Sequence, residues 1–295
     1  MRKILNYGSL NIDKVYSVEH FVRPGETISS LSYEVFPGGK GLNQSIAVSR
    51  AGGNVYHVGC VGSDGDFLIS LLEKNNVDVR FVQKKEEPTG HAIIQVDETG
   101  QNCILLNGGS NYSISSGLQE KALENFGEDD ILILQNEVNG NSQMIDVAAK
   151  KGLQIALNPS PYNIEIEKIP FEKIKWLLIN EVEGKQLTGK EKPEEICMHL
   201  LEQYSEMAVV LTLGNAGVMY QDINTTIRQK AYKVPVVDTT AAGDTFTGYF
   251  LSAITADMEI SKALELAAKA SAITVSRKGA AVSIPEKKEV LEFEL

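Results

Sequence analysis

An α/β fold of the doubly wound, mostly parallel type is what this sequence predicts, on two observations. From about residue 130 onward, short apolar runs alternate with helical patterns: "DILILQ", an amphipathic stretch near 141–151, "LQIALNP", "IKWLLIN", a helical stretch near 193–206, and "MAVVLTLG". Strands covered on both faces by crossover helices read as such continuous runs. The first third behaves differently, because "KVYSVEHFVRPGETISSLSYEVF" and "GHAIIQVDETGQNCILLNGG" show β-type alternation around Pro-Gly and Thr-Gly turns. A small antiparallel sheet standing off the main one as a lid is therefore expected, with "KILNYG" and "NVYHVGCVG" as central strands beside it.

Each element then has a position relative to a ligand. In doubly wound sheets ligands lie beyond the carboxyl ends of the strands. That places weight on residues 135–137, Asn158, residues 180–183 and residues 212–217, and the tail "EKKEVLEFEL" reads as a short solvated helix.

With 295 residues, 43% hydrophobic and 23% charged, the chain can bury a large core as one domain, residues 1–295, carrying lid segments near 12–36 and 90–110. A formal net charge of −11 argues against nucleic acid or an anionic membrane as partner. An anionic ligand must then be held by local donors. Cys60, Cys103 and Cys197 are widely spaced without a CxxC pattern, and the four histidines form no zinc motif. No apolar run approaches the roughly 20 residues of a membrane span, so a cytoplasmic protein is expected.

Two glycine-bearing stretches carry the chemistry. In "DTTAAGDTF", residues 238–246, small residues precede an aspartate where an apolar helix begins, marked by Phe246, Tyr249, Phe250, Ala253 and Ile254. Thr239 and Thr240 are N-cap candidates, which would leave the N–H groups of Ala242, Gly243 and Asp244 pointing out of a helix end that binds anions. Ala241 and Ala242 leave room for a bulky anion to reach the backbone. In "PGGKGLNQSIAVSRAGG", residues 37–53, Gly38, Gly39 and Gly41 lead into a second helix beside Lys40 and Asn43. The spacing is not that of a P-loop, and a polyhydroxyl ligand is the alternative use. "GSLNID" after the first strand offers Asn11 and Asp13, as a site or as an Asx turn.

The order "GSLNID", "PGET", "GGKGLNQ", "NEVE", "TLGNAG", "DTTAAGDTF" and "SRKGA" resembles the ribokinase branch of the PfkB family of carbohydrate kinases, from near residue 4 to near residue 285. The resemblance implies a ribokinase-like three-layer sheet of about nine strands, with a β lid that covers the sugar and pairs two subunits as a homodimer. It implies transfer of the ATP γ-phosphoryl group to a hydroxymethyl group, with Mg²⁺ and potassium as activator. Asp244 would be the catalytic base and the N–H groups of Ala242, Gly243 and Asp244 the anion hole, with Ala241 beside them in the catalytic turn, an arrangement suited to a reaction run by positioning and electrostatics. Asn11, Asp13, Gly38, Gly39, Lys40, Asn43 and Glu137 would hold the sugar. Asn180, Thr212, Gly214, Gly217 and Gly243 would contact ATP, and Asn180 and Glu183 would organise Mg²⁺ through water. Asp238, Thr240, Gly279 and Ser283 match positions around a monovalent cation, and the helix at 261–275 would flank the adenine.

The resemblance implies D-ribose as acceptor, through the ribokinase-like Asn11, Asp13, Lys40, Asn43 and Glu137 together with "PGET", and no Arg or Lys cluster in "CILLNGGSN" or after Asp13 offers a site for a second phosphate. Asn107 and Gly108 depart from the His-Ala pair of many ribokinases. Deoxyribose, fructose, a nucleoside, or a non-catalytic sugar-binding role are the alternatives. A lid hinge is expected near Gly8 or Gly38.

Overall fold

The computed structural model of the protein describes residues 2–294. In chain order the strands are β1 (Lys3–Tyr7), β2 (Asn11–Ser17), β3 (Ser32–Gly38), β4 (Asn54–Val61), β5 (Asp78–Lys84), β6 (Gly90–Val96), β7 (Asn102–Asn107), β8 (Ile131–Gln135), β9 (Gln154–Asn158), β10 (Ile174–Asn180), β11 (Ala208–Thr212), β12 (Val218–Gln221) and β13 (Thr226–Gln229). The helices are α1 (Lys40–Arg50), α2 (Asp66–Lys74), α3 (Ser116–Leu123), α4 (Asn141–Lys150), α5 (Glu181–Thr188), α6 (Pro193–Gln203), α7 (Ala242–Thr255), α8 (Ile260–Val275) and α9 (Lys287–Leu291).

Nine strands form the main sheet in the order β13-β12-β11-β10-β9-β8-β1-β4-β5. The pairings from β11 through β5 are parallel, and β12 and β13 close one edge antiparallel. Alternate residues of each central strand face opposite cores: Ile131 and Ile133 of β8 pack with α1, α2, α7 and α8, whereas Leu132 and Leu134 pack with α3, α4 and α6. The period of two in a strand produces this division, and the three-layer, doubly wound architecture follows from it. Among the described residues no helix is long and apolar enough to cross a membrane.

The second sheet has the order β3-β2-β6-β7. Its pairing corrects one expectation: β2 runs antiparallel to β3 but parallel to β6. The chain between β2 and β6 passes through α1, β4, α2 and β5, which is the long crossover a parallel pair needs. Asn11 stands at the base of this sheet, in register with Gly38 on one side and Gly90 on the other.

Helix α7 is buried along almost its whole length, from Asp244 to Thr255, so it behaves as a core helix rather than an amphipathic one. It lies against α1 at a point where side chains are nearly absent. A Cβ on Gly248 would sit 2.4 Å from Ala47 Cβ and 2.7 Å from the Val48 nitrogen. That approach brings the first turns of α1 and α7 together. Gly248→Ala is expected to destabilise the protein by about 1–3 kcal/mol through overpacking and to lower turnover, read from urea unfolding and steady-state rates; full stability and activity would show that the two helices have slack.

Candidate active site

The start of α7 differs from the expected cap. Its N-cap is Ala241, at φ +60° with no side-chain cap, because Thr240 is turned away: its N–H and Oγ1 both donate to Asp238 Oδ1, at 2.9 and 2.6 Å. The Ala242 N–H is directed to the Thr239 carbonyl at 3.3 Å. Among the described residues the N–H groups of Gly243 and Asp244 have no protein acceptor, so two donors rather than three point out of the helix. A Cβ placed on Gly243 would meet nothing within 4 Å. The helix end is thus open to an anion, with the dipole in its favour.

Asp244 itself is buried at 7% exposure and held from α1. Asn43 Nδ2 donates to Oδ2 at 3.0 Å and Gln44 Nε2 to Oδ1 at 2.9 Å. The other end of the Asn43 amide, Oδ1, is buried without a partner among the described residues, so it is an acceptor awaiting a hydroxyl.

On the small-sheet side, Glu137 follows β8 and accepts the Lys40 main-chain N–H at 2.9 Å and the Ser9 hydroxyl. Burial holds the Glu137 carboxyl above its usual range, against the opposing pull of Lys40 and Ser9. Burial would depress the Lys40 ammonium, but Asp244, Glu137 and Glu183 around it outweigh that and keep it above its ordinary value. Asp13 lies against the backbone of β3, where a Cβ on Gly38 would fall 2.2 Å from Asp13 Oδ2. Gly39, at φ +97°, then turns the chain into α1. Asn11 Oδ1 accepts from Asn111 Nδ2 at 2.7 Å, leaving the Asn11 amide donors for a ligand. A cavity of about 310 Å³ is lined by Asn11, Asn107, Asn111, Asn136, Glu137 and Asn163.

On the opposite side, a cavity of about 220 Å³ brings together Lys40, Asn180, Glu183, Thr212, Gly243 and Asp244. Asn180 and Glu183 form a capping box at the start of α5: Asn180 Oδ1 accepts the Glu183 N–H, and Glu183 Oε2 accepts the Asn180 N–H, at 2.9 and 3.0 Å. Glu183 Oε1 remains for other use. Next to it, a cavity of about 610 Å³ is lined by Thr212, Gly214, Gly217 and Gly243, with Ala268 and Ser271 of α8 as one wall. The loops carrying Asp238 and Gly279 are clipped together, since Asp238 Oδ2 accepts the Gly279 N–H at 2.9 Å. Burial opposes ionisation of Asp238, yet the donors from Thr240 and Gly279 hold its carboxyl below the usual range. Ser283 is buried in the same segment and donates to the Ala280 carbonyl.

A carboxylate at an open helix end, with an amide-lined cavity on one side and a glycine-walled one on the other, has counterparts among known proteins. The family profile described as pfkB family carbohydrate kinase matches residues 1–287. The chain belongs to this family. It is therefore a phosphotransferase with an alcohol group as acceptor. Ribokinase of Haemophilus influenzae is 34% identical over 99% of both chains, and that of Schizosaccharomyces pombe is 37% identical over 98% of this chain and 97% of its own. The solved structure of Arabidopsis thaliana ribokinase complexed with ribose and ATP superposes with a TM-score of 0.87 at 30% identity, covering 99% of this chain and 98% of that one.

For a carbohydrate kinase, several of the residues that organise this site were not singled out in the sequence. Ser9 and Gln44 lie inside the "GSLNID" and "GGKGLNQ" stretches and Asn136 beside Glu137, but their contacts, like those of Asn111 and Asn163, arise only by folding. Asn107 accepts the Gly109 N–H at 3.0 Å as an exposed turn residue while lining the sugar-side cavity. Gly8 is not free to act as a hinge: its N–H is bonded to the Val58 carbonyl at 3.0 Å and its own carbonyl to His57 Nε2 at 3.2 Å.

Burial and the neighbouring Glu137 push the Asp13 carboxyl up from 3.8 to about 6. The folded protein keeps a proton on Asp13 that the unfolded chain has released, so the contribution to stability is complete below about pH 4 and is lost as the pH rises through 6. Asp13→Asn is expected to be more stable than the parent at pH 7.5, by a margin that shrinks towards pH 4. Urea midpoints of the two proteins across that range check this; a margin independent of pH refutes it.

Proposed function

We propose that the protein transfers the γ-phosphoryl group of ATP to the 5-hydroxyl of D-ribose, giving D-ribose 5-phosphate and ADP. The observation that carries this reading is the pairing, at one helix end, of the Asp244 carboxylate with the unpartnered N–H groups of Gly243 and Asp244. Asp244 accepts the proton of the 5-hydroxyl as its oxygen bonds to the γ-phosphorus. The bond from that phosphorus to the β–γ bridging oxygen breaks, and the electron pair leaves with ADP. Charge on the transferring group falls on the two N–H donors, while Ala241 and Ala242 leave the approach clear. Such preorganised donors in a buried site are worth several kcal/mol of barrier.

The sugar would be held by Asn11, Asp13 and Glu137 as hydroxyl partners, with Asn43 Oδ1, Lys40 and the backbone at Gly38 and Gly39 on the other side. The nucleotide would lie along Asn180, Thr212, Gly214 and Gly217, with its base against α8. Magnesium suits this donor set: Asn180 and Glu183 would hold it through water, Glu183 Oε1 being uncommitted, and it would neutralise phosphate charge. Potassium suits the Asp238, Thr240, Gly279 and Ser283 segment, where two loops clipped by the Asp238–Gly279 bond would hold it through oxygen atoms. Three free cysteines, two of them buried, support a cytoplasmic enzyme. One face of the small sheet exposes Tyr33, Val35 and Leu105 and the opposite face Phe36, Ile104 and Leu106, and this apolar surface supports a homodimer formed through the lid.

ADP release measured with Mg²⁺-ATP and potassium across ribose, deoxyribose, fructose and nucleosides tests the assignment. Ribose is expected to lead by about a hundredfold, and Asp244→Asn to lose about 10²–10⁴ of the rate with ribose binding retained. Normal turnover by that mutant removes the base; a nucleoside or another sugar in the lead removes ribose. Replacing potassium with a bulky organic cation is expected to lower the rate several-fold, and Asp238→Ala to blunt that response. A rate indifferent to the cation makes the Asp238 clip purely structural.

A further inference from the structure

Asp244 is the terminus of a buried chain of polar groups whose direction is fixed from the far end. Gln44 Nε2 donates to Asp244 Oδ1 at 2.9 Å, and Gln44 Oε1 accepts from Gln135 Nε2 at 2.7 Å. The second hydrogen of that Gln135 amide goes to Asn6 Oδ1 at 2.9 Å. Asn6 Nδ2 then donates to the Gly41 carbonyl and to Ser45 Oγ, both at 2.8 Å. Ser45 Oγ is 2.8 Å from His57 Nδ1, and His57 Nε2 is 3.2 Å from the Gly8 carbonyl. Asn6, Gln44, Ser45, His57 and Gln135 are all completely buried.

The polarity of the chain follows from its ends. Carbonyls of Gly8 and Gly41 can only accept, so His57 carries its proton on Nε2, and Asn6 turns its NH₂ towards Gly41 and Ser45. Ser45 must then donate to the bare Nδ1. This requires a neutral imidazole, and burial pushes His57 down to about 4, the bond to Gly8 opposing. Both hydrogens of Gln135 are committed to carbonyl oxygens, so Gln44 is presented with a donor behind it and a carboxylate in front. A flipped Gln44 would set oxygen against carboxylate and NH₂ against NH₂. Only one orientation remains.

We propose that Gln44 is a positioning residue for the catalytic carboxylate, locked in its donor orientation by the Gln135–Asn6–Ser45–His57 chain. The inference rests on the reading of Asp244 as the base. Gln44 touches neither sugar nor nucleotide in this role; it fixes the carboxylate rotamer and satisfies Oδ1, so the free lone pairs face the acceptor hydroxyl. Gln135 acts one step further out, and it pairs with Gln44 across 91 residues of chain.

Gln44→Met and Gln135→Met keep side-chain length and remove the amides. Each is expected to lower kcat about tenfold, with the KM for ribose and ATP and the calorimetric Kd for ribose changed less than about threefold. The double variant is expected to lose no more than the worse single one, because both changes undo the same lock. An unchanged kcat in either single variant, or losses that multiply in the double, overturns the proposal, since independent packing defects would combine that way. Should either variant fail to fold, Ser45→Ala is one oxygen smaller and is expected to lower kcat about threefold at unchanged KM; no decrease there overturns the proposal as well. Failure of the base reading is separately visible, as normal turnover by Asp244→Asn.

Discussion

A single buried carboxylate joins two helix starts, and most of the site is arranged to make that tolerable. Removing an ionised carboxylate from water costs several kcal/mol unless polar groups replace the lost hydration. Asp244 receives two neutral amide donors, Asn43 and Gln44, from the first turn of α1, and it stands in the field at the start of α7. Amides can reach it only because α1 and α7 approach through Gly248 and Ala47. Neutral donors also matter chemically. The two amides fix the orientation of the carboxylate without adding a charge at its oxygens.

Charge in the wider site is balanced by few residues. Lys40 is a buried ammonium among Asp244, Glu137 and Glu183, and these three carboxylates more than offset the burial that would deprotonate it. Its main-chain N–H simultaneously holds Glu137. One residue at the head of α1 thus links Glu137 to Asp244 by charge and by backbone. In a chain of formal charge −11, positive potential inside this cavity comes from local groups, the lysine and the α7 terminus. Electrostatics here are local rather than a property of the surface.

How much of this could be read from the residues depends on the range of the interaction. Strands β8 to β11 announced themselves as apolar runs, and "AAGD" before an apolar helix marked the open helix terminus, because both signals are carried by adjacent residues. The N-cap was misread: Thr239 and Thr240 are good caps by composition, but Asp238 claims Thr240, and Ala241 takes the left-handed conformation instead. Parallel pairing of β2 with β6 was hidden because alternation shows that a strand exists and says nothing of its neighbour's direction. The amide chain behind Asp244 was not legible, since Gln44 in "GGKGLNQ" and Gln135 at a strand end carry no sign that they meet each other and Asn6.

The place of motion in the small sheet follows from the same contacts. Gly8 is bonded on both sides and packed against Gly41, and Gly38 is closed in by Asp13. The base of the sheet is tied further by Asn111, which accepts from the Leu10 N–H and donates to Asn11. Rotation about either glycine would break buried hydrogen bonds at a cost of about 1–3 kcal/mol for each group left unpaired. The outer parts of β3 and β7 carry no such ties and are exposed along their length. Buried hydrogen bonds are therefore concentrated at the base of the sheet, around Asn11, Gly38 and Asn111. They hold the end of the sheet nearest Asp244 in one geometry, the kind of fixed alignment on which phosphoryl transfer depends.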